Sequence, residues 1–300
     1  MVDPLSEVVT LLRPHTVLTK GISGAGRWAV RYADFGHPSF CTITAGTCRL
    51  EVDGEEVLTL EAGDFVLLPA TPGFTLSSLE PATPKLIDPK VMPTSTEDVR
   101  HGTPEGEPDV RLLGGYFVFD SPDADLLVSL LPAMVHVRDA ERLSILVRLV
   151  GEEASESRSG RDLVLSRLVE VLLIEALRST QGEDAPPGLL RGLGDARLAE
   201  SMRQMHGDPA RPWTVAQLAK SAALSRSAFF DRFTRAVGVP PMEYLLAWRM
   251  AVAKDLLRRQ DVGVAEVAER VGYGSASTFS TAFSRHVGQP PGRYARAHVS

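Results

Sequence analysis

Cysteine is nearly absent, with only Cys41 and Cys48 in 300 residues. That excludes a disulfide-dense scaffold and fits a reducing cytoplasm. Long hydrophobic runs are missing as well. No apolar stretch approaches the roughly 20 residues needed to span a bilayer, so no membrane partner is expected. The opening Met1-Val2-Asp3-Pro4 lacks both a basic segment and an apolar one behind it, which argues against a secretory signal. Histidine is sparse, and His15, His37, His101 and His136 are too scattered to read as a ligand set. No Ser-His-Asp order, phosphate loop or carboxylate pair stands out, so nothing points to an enzyme.

What the chain does have is a repeat in its last ninety or so residues. Val215-Ala216-Gln217-Leu218-Ala219 is echoed by Val264-Ala265-Glu266-Val267-Ala268. Phe229, Phe233, Gly238, Pro240, Pro241 and Tyr244 are echoed by Phe279, Phe283, Gly288, Pro290, Pro291 and Tyr294. The offset grows by one residue between the two blocks, where a turn can absorb it. Each copy predicts a short helix, a turn and a second helix that buries Phe at i and i+4, which is a helix-turn-helix unit. Thr214, Ser225 and Ser275 are expected N-caps. Gly272-Tyr273-Gly274 is the second turn. Gly238 and Gly288 end the second helices, and the Pro-Pro pairs stop any continuation. Between the copies, Met242 to about Arg259 predicts one long helix able to hold the units at a fixed separation. Two units in one protomer imply two adjacent contacts with double-stranded DNA.

Charge supports that partner. Residues 189–300 carry 16 Lys and Arg against 9 Asp and Glu, a net of +7, and residues 1–188 carry a net of −13, within a total of −6. Phosphate binding needs local positive charge rather than a positive total.

With these motifs in view, the C-terminal third resembles the DNA-binding domain of the AraC/XylS family of bacterial transcription regulators. The likeness rests on Ala216 to Ala219, Ser225 to Gly238, Val267 to Tyr273, and Phe279 through Tyr294. The resemblance implies that the second helix of each unit enters the major groove. Its groove-facing residues would be Arg226, Ser227, Phe230, Asp231 and Arg235 in the first unit, and Ala276, Ser277, Thr278, Ser280, Thr281 and Arg285 in the second. Asp231 and Thr281 stand where the family often has arginine. An arginine there would pair with guanine, whereas an aspartate prefers the cytosine amino group.

Residues 16–120 predict mostly strand. Cys48 to Val52 alternates, Asp53-Gly54 makes a turn, and Val57 to Leu60 and Phe65 to Leu68 follow, a spacing typical of a small barrel or jelly roll. Phe40–Thr44 and Thr47–Val52 are expected to form a hairpin with Ala45-Gly46 as its turn. In that register Cys41 and Cys48 are diagonal neighbours about 7–8 Å apart, beyond the Cα separation of about 4.4–6.8 Å usual for a disulfide. Two free, largely buried thiols are expected rather than a redox sensor. Residues 83–110 read as a long loop or lid. The run Gly46 to Pro69, together with Asp3 to Ser6, Leu112 to Phe117 and Leu131-Pro132, resembles the cupin-type sensor domain of one AraC subgroup. Cys41 and Phe74 occupy positions where that subgroup commonly has histidines, which leaves too few ligands for a metal, so no cofactor is expected. A small-molecule effector pocket is the alternative use of the barrel, with Trp28, Phe40, Cys41, Phe65 and Phe74 as candidate lining. These aromatics also suit plain core.

Residues 122–180 switch to helical period. Ser121-Pro122 starts a helix to about Leu131, Asp139 caps another to about Ser155, and a third runs from Leu163 to Ser179. The apolar arc of the third is wider than one core face requires, which favours a homodimer interface. Gln181 to Gly194 reads as an interdomain linker. The expected architecture is therefore α+β and multidomain. It comprises a cupin-like β-barrel over 1–120, a helical dimerisation segment over 121–180, a linker over 181–194 and an all-α double helix-turn-helix domain over 195–300. The resulting reading is a sequence-specific, cytoplasmic transcriptional regulator controlled by an effector or by dimer rearrangement, with RNA polymerase as a further partner if it activates. The competing readings are a metal-dependent cupin enzyme with an appended helical domain, and a constitutive DNA-binding protein whose barrel only dimerises.

Overall fold

The computed structural model describes residues 3–34, 36–88, 98–119, 121, 124–128, 131–156, 158–180, 187–259 and 262–297. Its contacts divide the chain into two units. One holds residues 13–120 and 133–180, and the other holds 1–12, 121–132 and 181–300.

The first of these is a curled β structure. Its strands are β1 (Pro14–Ala25), β2 (Ala29–Tyr32), β3 (Ser39–Val52), β4 (Leu58–Glu61), β5 (Phe65–Leu68), β6 (Phe74–Ser77), β7 (Lys85–Ile87), β8 (Val99–Gly102), β9 (Val110–Phe119) and β10 (Val135–Val137). The long strand β3 is shared by two sheets. Its first half pairs with β5 and β9, and its second half pairs with β4 and β6. The register shifts between Ile43 and Ala45, and Gly46 takes φ +76°. A Cβ at Gly46 would run into the Asp109 backbone carbonyl, so only glycine lets the strand bend here. The expected hairpin over Phe40–Val52 is thus not formed. Ala45-Gly46 is a bend within one continuous strand, because a bulge with a left-handed glycine redirects a strand as readily as a turn ends it. The Asp53-Gly54 turn does join β3 to β4, with Leu50 opposite Leu58 and Cys48 opposite Leu60. The expected loop over 83–110 contains β7 and β8, which pair in parallel with β2 and β1. Too short to show alternation, they left no periodic signal in the sequence. Residues 89–97 of that segment lie outside the described residues.

Inside the curl, Trp28, Val30, Ile43, Cys48, Leu50, Val52, Leu60, Val66, Leu68, Leu76, Val110 and Leu112 form one buried cluster. On the opposite face, α3 (Glu141–Ser155) and α4 (Arg161–Arg178) cover β1 and β3. Thr42 Oγ1 lies 2.8 Å from Ser144 Oγ, and Ser166 Oγ donates to the Pro14 carbonyl at 3.3 Å. The cap of α3 is Ala140 with no side-chain bond, so Asp139 does not serve as the expected cap. Asp139 itself sits at φ +49° in the preceding turn.

The other unit is helical. It comprises α1 (Pro4–Leu12), α2 (Ala124–Val128), α5 (Leu189–Gly194), α6 (Ala196–Gly207), α7 (Val215–Ser221), α8 (Arg226–Val237), α9 (Pro241–Arg259), α10 (Val264–Arg270), α11 (Ala276–Val287) and α12 (Pro291–Ala297). The helix expected from Ser121-Pro122 to Leu131 is described only as the five residues of α2, and residues 122–123 and 129–130 lie outside the described set. The stretch read as linker ends in α5, whose Leu189 and Leu190 are buried and which packs on α6 and α8. Glycine and proline content flagged a loop there, but burying two leucines outweighs the weak helix propensity of glycine. The second proline of each Pro-Pro pair does more than stop a helix. Pro241 and Pro291 are the first residues of α9 and α12, the position where a missing N–H costs nothing.

Candidate nucleic-acid interface

The two repeats fold alike except at the start of the first helix, where Thr214 caps α7 and Gly263 leads α10 without a side-chain bond, and for one residue added in the second turn. Thr214 caps α7 by accepting from the Gln217 amide at 3.3 Å, and the Gln217 side chain accepts from the Thr214 amide at 2.9 Å, closing a capping box. Helices α7 and α10 end in the same way. The Ala223 and Leu224 amides donate to the Lys220 and Ala219 carbonyls, and the Gly272 and Tyr273 amides donate to the Glu269 and Ala268 carbonyls. Ala223 and Gly272 are equivalent, both left-handed, at φ +51° and +82°. Gly274 is therefore the added residue that lengthens the repeat offset. Ser225 and Ser275 then cap α8 and α11, each accepting an amide hydrogen at 3.2 Å, from Ala228 and Thr278. Gly238 and Gly288 close them at φ +86° and +82°.

Phe229, Phe233, Phe279 and Phe283 are fully buried. Phe233 packs edge-on against Tyr244 with ring centres 5.7 Å apart, and Phe283 packs against Tyr294 at 5.5 Å. With those faces inward, the opposite faces turn to solvent. Arg226, Ser227, Phe230, Asp231, Arg235, Ser277, Thr278, Thr281 and Arg285 are exposed, while Ala276 and Ser280 are partly so. The repeat thus sorts all eleven candidate residues onto two outward helix faces. Phe230 is 41% exposed, which puts an aromatic ring on the outward face of α8. The faces differ in chemistry: α8 shows two arginines, an aspartate and an aromatic, whereas α11 shows small hydroxyl and methyl groups and one arginine.

Beside the first helix-turn-helix, His206 of α6 stacks on Trp248 of α9 at 3.9 Å, and its Nε2 lies 2.6 Å from the Tyr244 hydroxyl. Burial pushes His206 down to about 3, with Asp3 pulling the other way, so the imidazole is neutral at physiological pH. The sequence reading missed this cluster because a lone histidine on an apolar helix carries no periodic signal. It also missed Arg249, whose guanidinium turns toward the loop before α7.

In the β unit, the five residues read as effector lining are split between two faces. Trp28 belongs to the interior cluster, and Cys41 and Phe74 pack against it. Phe40 and Phe65 point the other way, toward α3 and α4: Phe65 stands opposite Thr42, and Phe40 lies 6.2 Å from Phe117. Among the described residues no group of His, Cys, Asp and Glu is arranged to hold a metal. His136 Nε2 lies 3.1 Å from the buried Asp64 carboxylate. Both cysteines are free, and burial pushes each thiol up to about 12. A cleft of about 470 Å³ opens elsewhere, lined by Asp98, Arg100, Glu107 and Arg111 among others.

Comparison with known proteins places both halves. Residues 3–181 match a family model described as Cupin, and residues 218–297 match one described as Helix-turn-helix domain. A Streptomyces lividans protein named an AraC-like transcription regulator is 38% identical over 97% of this chain and 97% of its own length. A Streptomyces antibioticus protein of the same name is also 38% identical, over 97% of this chain and 98% of its own length. The chain belongs to the AraC-like transcription regulators. The transcriptional regulator AlkR of Acinetobacter baylyi is 28% identical over 84% of this chain and 85% of its own length. As an AraC-like regulator, the protein is a DNA-binding transcription regulator that joins a cupin domain to a double helix-turn-helix domain. Among the described residues no helix is long and apolar enough to cross a membrane.

Proposed function

We propose that α8 and α11 enter successive major-groove segments on one face of the duplex, roughly 10 bp apart. Arg226, Ser227, Phe230, Asp231 and Arg235 would meet the first segment, and Ala276, Ser277, Thr278, Ser280, Thr281 and Arg285 the second. The carrying observation is the outward placement of both sets on equivalent helices whose Phe pairs are buried. Arg226 and Arg235 suit guanine or phosphate, Asp231 suits a cytosine amino group, and Phe230 suits a thymine methyl. The neutral face of α11 suits positioning on phosphates more than base reading. Footprinting tests this. Protection of two neighbouring segments is expected, and protection of one would reject a DNA role for the second unit.

Sensing is assigned to the cupin barrel within residues 1–120, dimerisation to the helices within 121–180 and DNA reading to 195–300. Dimerisation is supported by exposed apolar side chains on the outer faces of two adjacent helices, Ile145 and Leu149 on α3 and Val164 and Val171 on α4. An effector or a dimer rearrangement would shift the DNA-binding units between two placements. The site of action is the cytoplasm, with RNA polymerase as partner if the protein activates. A regulatory rather than enzymatic role is supported by the regulators it resembles along its whole length.

A further inference from the structure

Helix α9 joins the two helix-turn-helix units, and the loop that precedes the first unit lies against the turn of the second. That loop runs from Asp208 to Trp213 and is internally braced. Trp213 Nε1 donates to the Asp208 carbonyl at 2.9 Å, and the Arg211 amide donates to the Asp208 carboxylate at 3.2 Å. The Arg211 guanidinium stacks 4.1 Å above the Trp213 ring. The next residue is Thr214, the N-cap of α7. Arg249, in the middle of α9, reaches this loop with two donors. Its Nε donates to the Pro209 carbonyl at 2.7 Å, and its Nη2 donates to the Arg211 carbonyl at 2.8 Å. From the other side comes Gly272, the left-handed residue in the turn of the second unit. A Cβ there would stand 2.5 Å from the Ala210 carbonyl oxygen and 2.8 Å from Arg249 Nη2. The entry to the first unit, the turn of the second and one guanidinium therefore meet at a single point.

We propose that Arg249 is a positioning residue that fixes the separation of the two reading helices and thereby sets the spacing of DNA segments the protein accepts. The proposal rests on the two-segment reading above. Two weak contacts on one body reinforce each other only while geometry lets both engage. The planar fork of arginine holds two carbonyls in a set direction, which a lysine point charge does not. Arg249 touches no face assigned to DNA, so its loss should leave each single contact intact and loosen their relation.

The test uses the full-length protein and its Arg249→Gln and Arg249→Lys variants. Each binds the operator at native spacing, the operator with one base pair inserted or removed between segments, and the operator with the second segment scrambled. Arg249→Gln should lose about tenfold at native spacing and less than about twofold on the scrambled DNA. Its penalty for an inserted base pair should shrink relative to the wild type, and Arg249→Lys should fall between. Equal losses on intact and scrambled operators, an unchanged spacing penalty, or thermal unfolding of both variants would overturn the proposal. A wild-type footprint over one segment would overturn the two-segment reading itself, and that failure shows without any variant.

Discussion

Single residues separate the proposed DNA contacts from those that hold the fold. Arg226 and Arg235 are exposed and lie off the Phe229–Phe233 face. Replacing either by alanine should weaken operator binding while leaving the thermal midpoint in place. A lost base contact should cost about 1–3 kcal/mol and relax one operator position, whereas a lost phosphate contact should weaken all sequences alike and reduce the salt slope by about one. Unchanged affinity in both variants would remove α8 from the groove. The equivalent turn residues make a second test. Ala223 holds a left-handed conformation that costs an L-residue roughly 1–2 kcal/mol, partly offset by the extra freedom glycine has when unfolded. Ala223→Gly should therefore raise stability by about 0.5 kcal/mol. Gly272→Ala meets both φ +82° and the Ala210 carbonyl, so it should destabilise by about 2 kcal/mol. Denaturant titration of both variants decides; a destabilised Ala223→Gly would contradict the strain argument.

At the scale of elements, α6 and α9 are joined by His206, Tyr244 and Trp248, and this contact should respond to acid. An unfolded histidine titrates near 6.5, while burial holds His206 down to about 3. Below pH about 6.5 the unfolded chain takes up a proton that the folded one refuses, so stability falls by up to about 1.4 kcal/mol per pH unit until about pH 3. The contribution is complete above pH 6.5 and lost on acidification. Chemical unfolding from pH 7 to 4.5 should show that slope in the wild type and a slope smaller by about one proton in His206→Gln; equal slopes would place the proton uptake elsewhere. The elements that the sequence announced were those with period or punctuation. The Phe pairs, serine caps and closing glycines of α8 and α11 were legible because each is a local signal repeated twice. The bend in β3, the strands β7 and β8, and helix α5 were not. Their formation depends on partners far along the chain: the Asp109 carbonyl beside Gly46, β1 and β2 beside the short strands, and α6 and α8 under Leu189 and Leu190. The outward placement of the eleven candidate residues was legible for the same reason as their helices. The proposed effector lining was not, because a strand residue's face depends on register, and register placed Phe40 and Phe65 opposite to Trp28.

At the scale of the whole molecule, the acidic and basic halves make it costly for the protein to bind DNA as a lone basic domain. The net of −13 over residues 1–188 repels phosphates, while the +7 over 189–300 attracts them. Specific binding then gains most when two basic domains engage one operator together, since linkage multiplies affinity without new contacts. The surface proposed above for pairing is the outer face of α3 and α4, where Ile145, Leu149, Val164 and Val171 are exposed and Val164 and Val171 lie two turns apart. Placing a charge in such an interface should cost more than on open surface, because a buried unpaired charge is not solvated. Val164→Glu with Val171→Glu should therefore leave a folded monomer by analytical ultracentrifugation. The same double variant should bind a two-site operator at least about tenfold more weakly while matching the wild type on a single site. A variant that remains dimeric with full operator affinity would move the interface off these helices and leave the apolar arc of α4 to another partner.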